Sequence, residues 1–339
     1  MLFEVALPII QAPMAGGPDT PALAAAVSGA GGLGSLGCAY STPAQIHELV
    51  HAVRAATDRP FALNLFVRAD AADDESAAAR VGPVLAPFFE ELGLRSSSAP
   101  VATAPPRFED QLEAVLAARP RVFSFTFGVP TRDQLAALRA RGIAIVGTAT
   151  TVEEVRALDD AGVDAICVQG AEAGGHRGTF LGSFEDAAIG TLTLVPQATL
   201  ATALPIIAAG GIMTGSAIRA VLGLGAAAAQ LGTAFLCCDE AGTSAPHRRA
   251  LGTATATTIT RAFSGRPARG IRNRMTDAFD AVAPAPFPQQ QRMTALLRRE
   301  ATRLDRPDLM QLWTGQGGPL ARAMPAAELV HALASEARL

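Results

Sequence analysis

The chain has 339 residues, of which 49% are hydrophobic and 5% aromatic, with a formal net charge of −3. That length and apolar content fit one large α/β domain or two smaller ones, and the negative balance lacks the basic footprint of a nucleic-acid binder. All 28 cationic side chains are Arg, and Cys38, Cys167, Cys237 and Cys238 show no metal-ligand spacing. Three of the four lie in apolar, strand-like runs and read as buried thiols, which fits a reducing cytoplasm.

The opening residues, MLFEVALPII, carry Glu4 and no basic run, so no signal peptide is expected. No apolar run reaches membrane-spanning length without Gly, Pro or polar interruption. VALPIIQAPM reads as a first buried strand and PALAAAVSGAG as a small helix ending in glycine. GLGSLG is the second strand. In TPAQIHELVHAVRAAT, Thr42 is the expected N-cap and Pro43 the first helical residue, with Ile46, Leu49, Val50 and Val53 at helical spacing. FALNLFV is the third strand. Residues 70–106, rich in acids, alanines, serines and prolines, interrupt the rhythm and read as a helical excursion or insertion.

Alternation then resumes. FEDQLEAVLAARP is a helix, VFSFTFG the fourth strand, TRDQLAALRARG a helix and IAIVGTAT the fifth strand. TVEEVRALDDAG is a helix opened by Thr151 and Glu154 in capping-box relation. VDAICVQG is the sixth strand, followed by the loop AEAGGHRGTF. The helix LVPQATLATAL, the strand PIIAAGGI, the helix SAIRAVLGLG and the strand AAAQLGTAF complete eight strands. Helices between strands require parallel crossovers, and strands rich in Ile, Val and Ala without alternation suit a sheet covered on both faces. The pattern predicts an α/β fold, a (β/α)8 TIM barrel, over 1–240. An open doubly wound sheet is second, because no strong dinucleotide fingerprint follows the first strand. The polar, Arg- and Pro-rich stretch 241–310 is expected to form a lid over the barrel mouth, and 311–339 to return to the barrel. Four arginines within 266–274 belong to that lid in this reading, not to a nucleic-acid site.

In such barrels the reactive residues come from the C-terminal ends of the strands. There the sequence places Gln11 to Met14, Asn64, Gln169, His176, Gly210, Gly211 and Gln230 to Thr233. Glycine turns after the seventh and eighth strands allow backbone N–H groups to approach an anion. Thr233 adds a hydroxyl donor, so a phosphorylated ligand is expected; ordinary turn glycines are the plainer alternative. His176 sits among Gly174, Gly175 and Gly178. His47, His51 and His331 fall in helical segments and His247 in the polar tail, which leaves His176 as the histidine facing the pocket. A histidine near neutral pKa can serve as a base toward a carbon acid. Glu172 either orients this loop or is solvated.

Together PIIQAPMAGG, GGLGSLG, NLFV, QGAEAGGHRG, AAGGI, QLGTAF, GRPARGIRNR and WTGQGG resemble the nitronate monooxygenase family, formerly called 2-nitropropane dioxygenases. The resemblance implies a TIM barrel holding FMN noncovalently. Ala12, Pro13 and Met14 would lie against the flavin, and Asn64 and Gln169 would hydrogen-bond it. Gly174, Gly175, Gly210, Gly211, Gln230, Leu231, Gly232 and Thr233 would hold the ribityl chain and phosphate. His176 would be the active-site base or hydrogen-bond donor, and no metal is implied. The implied reaction oxidises alkyl nitronates, and by extension nitroalkanes, with O2 to a carbonyl compound and nitrite. The expected partners are therefore a small-molecule substrate and O2, with no nucleic acid and no membrane; a homodimer is the candidate assembly.

The sequence departs from the family pattern in its pocket. It has no Lys, its only Tyr is Tyr40, and Phe287 stands where a Tyr is expected. The predicted pocket is less polar than the family norm. A related FMN-dependent NAD(P)H reductase, of the quinone or enoyl-ACP type, and a flavin-binding protein without turnover are the alternative readings.

Overall fold

The computed structural model describes residues 2–67, 73–94, 106–253 and 256–339. Eight parallel strands form the frame: β1 (Ile9–Gln11), β2 (Gly34–Gly37), β3 (Phe61–Phe66), β4 (Val122–Thr126), β5 (Ala144–Ala149), β6 (Ala165–Gln169), β7 (Ile206–Ala209) and β8 (Ala228–Leu231). Their order around the sheet is β1-β8-β7-β6-β5-β4-β3-β2. A parallel bridge between Ile10 and Leu33 closes the ring. Closure satisfies both edges of the sheet, so this is a barrel and not an open sheet.

The first strand is shorter than predicted. Ladder pairing is confined to three residues because Pro8 and Pro13 bracket them, and proline has no N–H to give a sheet. Ala12 to Met14 are thereby released as an irregular rim at the top of the barrel.

Helices α1 (Pro21–Gly29) and α2 (Pro43–Ala56) follow the first two strands, and Thr42 with Gln45 forms the capping box of α2. Within the predicted insertion, α3 (Ala77–Glu91) is a helix of 15 residues; the portions at 70–72 and 95–105 lie outside the described residues. Then come α4 (Phe108–Ala118), α5 (Arg132–Arg139), α6 (Val152–Ala161), α7 (Thr191–Ala201) and α8 (Gly215–Gly223). Ile10, Leu33, Ala62, Val122, Val146, Cys167 and Ile207 fill one buried cluster contributed by the strands, and a larger one joins strands to surrounding helices.

Past β8 the chain forms α9 (Ala245–Thr253), the antiparallel pair β9 (Thr257–Thr260) and β10 (Ala268–Ile271), α10 (Arg274–Asp277), α11 (Gln289–Arg303) and α12 (Ala326–Ala337). A third buried cluster joins Val81, Leu85, Phe88 and Phe89 of α3 to Phe263, Met275, Leu297 and Leu309. α3 and the segment 262–312 thus share an apolar core of their own. α12 returns to the barrel, where Glu336 accepts the Gly215 N–H at the start of α8 at 2.9 Å. Among the described residues no helix is long and apolar enough to cross a membrane.

Candidate active site

A cavity of about 510 Å³ opens at the C-terminal ends of the strands. Ala12, Pro13, Met14, Asn64, Gln169, Gly174, Gly175, His176, Gly210, Gly211, Gln230, Leu231, Gly232 and Thr233 all line it. Gln11 does not. Its side chain is fully buried and accepts the Ser35 N–H at 2.8 Å, stapling β1 to β2 beneath the cavity.

The loop after β6 is fastened at every turn. Gln169 donates to the His176 carbonyl at 2.9 Å and accepts the Gly178 N–H at 2.9 Å. Its amide therefore grips the histidine loop first, and one N–H remains for a ligand. Arg177, 1% exposed, reaches back to the carbonyls of Gly170, Gln169 and Ala187. Glu172 orients the loop: it accepts the Thr191 N–H and hydroxyl at the start of α7. The predicted capping box of α6 is only half formed. Thr151 accepts the Glu154 N–H, but Glu154 turns away to take the N–H groups of Thr150, Phe180 and Leu181. The buried Thr150 N–H and hydroxyl, joined by two loop N–H groups, outcompete the cap.

His176 lies in a short strand, Gly175–His176, that pairs with β10 through Ala268 and Arg269. Its ring is surrounded by Phe66, Phe127, Phe287 and Trp313, with centroids 6.1, 5.9, 6.3 and 5.7 Å away. Its Nε2 is 2.8 Å from the Ser264 hydroxyl. Burial, with Arg266 and Arg298 as further causes, pushes its pKa down to about 3. The expectation of a group titrating near neutrality is corrected: the ring is neutral across the physiological range.

Two guanidiniums flank it. Arg266 stacks 3.8 Å above the Phe127 ring and donates to the Thr179 carbonyl. Arg298 lines the cavity, held by Thr294, Gln311 and the Gln291 carbonyl. Among the described residues neither has a carboxylate within ion-pairing distance. Arg269 is buried against the Ala171 carbonyl, whereas Arg272 and Arg274 pair with surface acids.

At the other end, the walls are backbone. Gly210 has φ of +115°, and an added Cβ would lie 2.8 Å from the Thr191 hydroxyl. A Cβ on Gly174 would lie 2.4 Å from the Gly315 nitrogen. Both positions exclude side chains for a physical reason. Thr233 accepts the Gly315 N–H at 2.9 Å, which leaves its own proton free for an anion.

A sequence model of the nitronate monooxygenase family matches residues 1–336. The chain belongs to that family. Nitronate monooxygenase of Pseudomonas aeruginosa is 44% identical, covering 99% of this chain and 98% of its own length. The probable nitronate monooxygenase of Bacillus subtilis is 36% identical, covering 93% and 91%. The solved structure of a nitroalkane oxidase from Streptomyces ansochromogenes superposes with a TM-score of 0.93 at 43% identity, covering 98% of this chain and 96% of that one. FabK from Thermotoga maritima superposes less closely, with a TM-score of 0.76 at 25% identity over 99% and 94%.

This nitronate monooxygenase family member has site residues that sequence reasoning missed. Arg298 and Trp313 line the cavity, Ser264 bonds the His176 ring, and Trp313 is the only tryptophan in the chain. His247, read as part of a polar tail, is buried, lines the cavity and is pushed down to about 4 by burial, opposed by a hydrogen bond to the Trp313 backbone. An unfolded histidine titrates near 6.5. Between about 6.5 and these folded values the unfolded chain therefore binds more protons, and stability falls as pH drops through that window. Asp19, pushed up to about 6 by burial, acts in the opposite sense. The expected result is a urea midpoint for His247→Gln that falls less between pH 7 and 4.5 than that of the parent. Parallel curves would contradict the burial of a neutral His247.

Proposed function

We propose that this enzyme oxidises alkyl nitronates with O2 to a carbonyl compound and nitrite, with FMN as cofactor. One observation carries the reading: a neutral imidazole in an aromatic cage, flanked by two guanidiniums that lack carboxylate partners among the described residues. An uncompensated, partly buried cation stabilises an anion placed beside it, and a nitronate is an anion. The four rings favour an apolar substituent over a charged or hydroxylated one.

The cavity fits a flavin mononucleotide. Its glycine-lined end and the free Thr233 proton suit a phosphate, while Ala12 to Met14, Asn64 and the remaining Gln169 N–H suit a planar heterocycle with polar edges. When bound, the flavin supplies the electron transfer between nitronate and O2. The chain's own residues do the rest. Arg298, which lines the cavity, holds and orients the anion, Arg266 adds positive potential from its place on the Phe127 ring, the aromatic cage excludes water, and His176 accepts the proton of a neutral nitroalkane. A base at about 3 is weak for a carbon acid. Forming the nitronate, however, places a negative charge beside the arginines and offsets their repulsion of the imidazolium. Preformed nitronates therefore turn over faster than their neutral parents.

The purified protein is expected to be yellow, and acid release to yield FMN. A large side chain at Gly232, whose Cβ would lie 3.4 Å from Ala12 and 3.8 Å from Met14 on the cavity wall, is expected to abolish flavin retention. Nitrite release from an alkyl nitronate under air tests the reaction. Release of FAD, or anaerobic bleaching by NADH without nitrite release, would overturn the proposal in favour of a reductase.

A further inference from the structure

We infer that Ser264 fixes the tautomer of His176, binding Nε2–H and leaving unprotonated Nδ1 as the atom that faces the cavity. Ser264 is 2% exposed. Its hydroxyl oxygen has three polar neighbours: His176 Nε2 at 2.8 Å, the Arg266 N–H at 3.3 Å and the Arg266 carbonyl at 3.2 Å. A serine hydroxyl offers one proton and two lone pairs. The Arg266 N–H must take a lone pair, and the Arg266 carbonyl must receive the proton. Only a lone pair is left for the histidine, so Nε2 is the donor. The reverse assignment, with Ser264 donating to Nε2, withdraws its proton from the half-buried Arg266 carbonyl, where a lost hydrogen bond carries a cost.

The serine cannot easily move to another arrangement. β9 and β10 flank the turn that carries it, β10 pairs with His176 itself, and the Arg177 N–H donates to the Pro267 carbonyl at 2.8 Å. Arg266 Nη2 holds the same turn to the Thr179 carbonyl. Among the described residues no protein group hydrogen-bonds the other ring nitrogen, and His176 lines the cavity. Burial keeps the ring neutral, so it carries a single proton and its location matters.

Ser264 is thus a positioning residue. The consequence for chemistry rests on the proposed reaction. The substrate C–H bond breaks, its electron pair becomes the C=N bond of the nitronate, the N=O π pair of the nitro group moves onto oxygen, and the proton forms an N–H bond at Nδ1. Nε2–H stays on Ser264 throughout, so the ring need not turn.

The tautomer itself is measured without turnover. The protein as purified, labelled with 15N-histidine, is examined by NMR, with His176→Asn identifying the resonances. The expected result is one species, with Nε2 protonated and Nδ1 bare. Ser264→Ala should give a mixture of tautomers or ring orientations, and Ser264→Thr, which keeps the hydroxyl, should restore one. Protonation at Nδ1 in the parent overturns the inference, and so does an unchanged spectrum in a folded Ser264→Ala. Should Ser264→Ala fail to fold, the parent and Ser264→Thr spectra still decide. In the activity arm, Ser264→Ala should lose about tenfold or more on a neutral nitroalkane, part of the roughly 10²–10⁴-fold that a positioned general base supplies, and much less on its nitronate. The expected tautomer without any nitronate oxidation would instead sink the proposed reaction and leave the tautomer assignment standing.

Discussion

His176→Asn is expected to cut turnover of a neutral nitroalkane by roughly 10²-fold or more, while turnover of the corresponding preformed nitronate falls much less. The magnitude is that of a positioned general base. Asparagine keeps a polar side chain of similar reach but cannot accept a proton at neutral pH. A neutral nitroalkane must lose its carbon-bound proton before oxidation, whereas a nitronate has already lost it. Flavin content, read from the absorbance spectrum, separates loss of base from loss of cofactor. Equal losses on both substrate forms with flavin retained would assign His176 to binding or electron transfer. No loss on either would make it a structural residue of the loop. The parent should show no limb near pH 6.5 assignable to His176, because burial and the two arginines push it down to about 3.

Glu154→Ala is expected to have the largest effect on stability. The side chain is fully buried, and its carboxyl takes three backbone N–H groups, those of Thr150, Phe180 and Leu181, together with the Thr150 hydroxyl at 2.7 Å. Each buried donor left unpaired costs about 1–3 kcal/mol; the Thr150 N–H and hydroxyl are buried and the Phe180 and Leu181 N–H groups are part-buried, so the total loss is about 3–5 kcal/mol. Thermal unfolding should shift down by roughly 5 °C or more. Phe180 and Leu181 continue the loop that carries His176, so turnover of nitronate and nitroalkane should fall together, unlike the His176→Asn pattern. Glu153→Ala, at the exposed neighbour, is the control and should stay within about 0.5 kcal/mol of the parent. Equal melting temperatures for the two variants would remove Glu154 from the loop's support.

The sequence by itself determined the barrel. Eight apolar runs separated by helical ones can be covered on both faces only as parallel strands with crossovers, and β1 to β8 follow that order. It also determined the floor of the cavity. Glycines directly after a strand, and polar residues where an apolar run stops, are local signals, and Asn64, Gln169, His176, Gly210 and Gly232 all carry them into one cavity. Family motifs lie in the same short stretches and were legible for the same reason.

What only the tertiary structure decided depends on residues distant in the chain. Ser264 lies 88 residues from His176, and Arg298 and Trp313 lie farther still. Nothing in the neighbourhoods of Ser264 and Arg298 marks them, and Trp313 stood out only as part of the motif WTGQGG, because such segments acquire their role from what they cover. His247 looked polar in sequence and is buried in space, and Glu154 carries a cap signature that the buried Thr150 N–H and the N–H groups of Phe180 and Leu181 override. The charge state of His176 belongs to this second class. A free imidazole titrates near neutrality, and only the assembled cage of four rings and two guanidiniums removes the water that would stabilise its charged form.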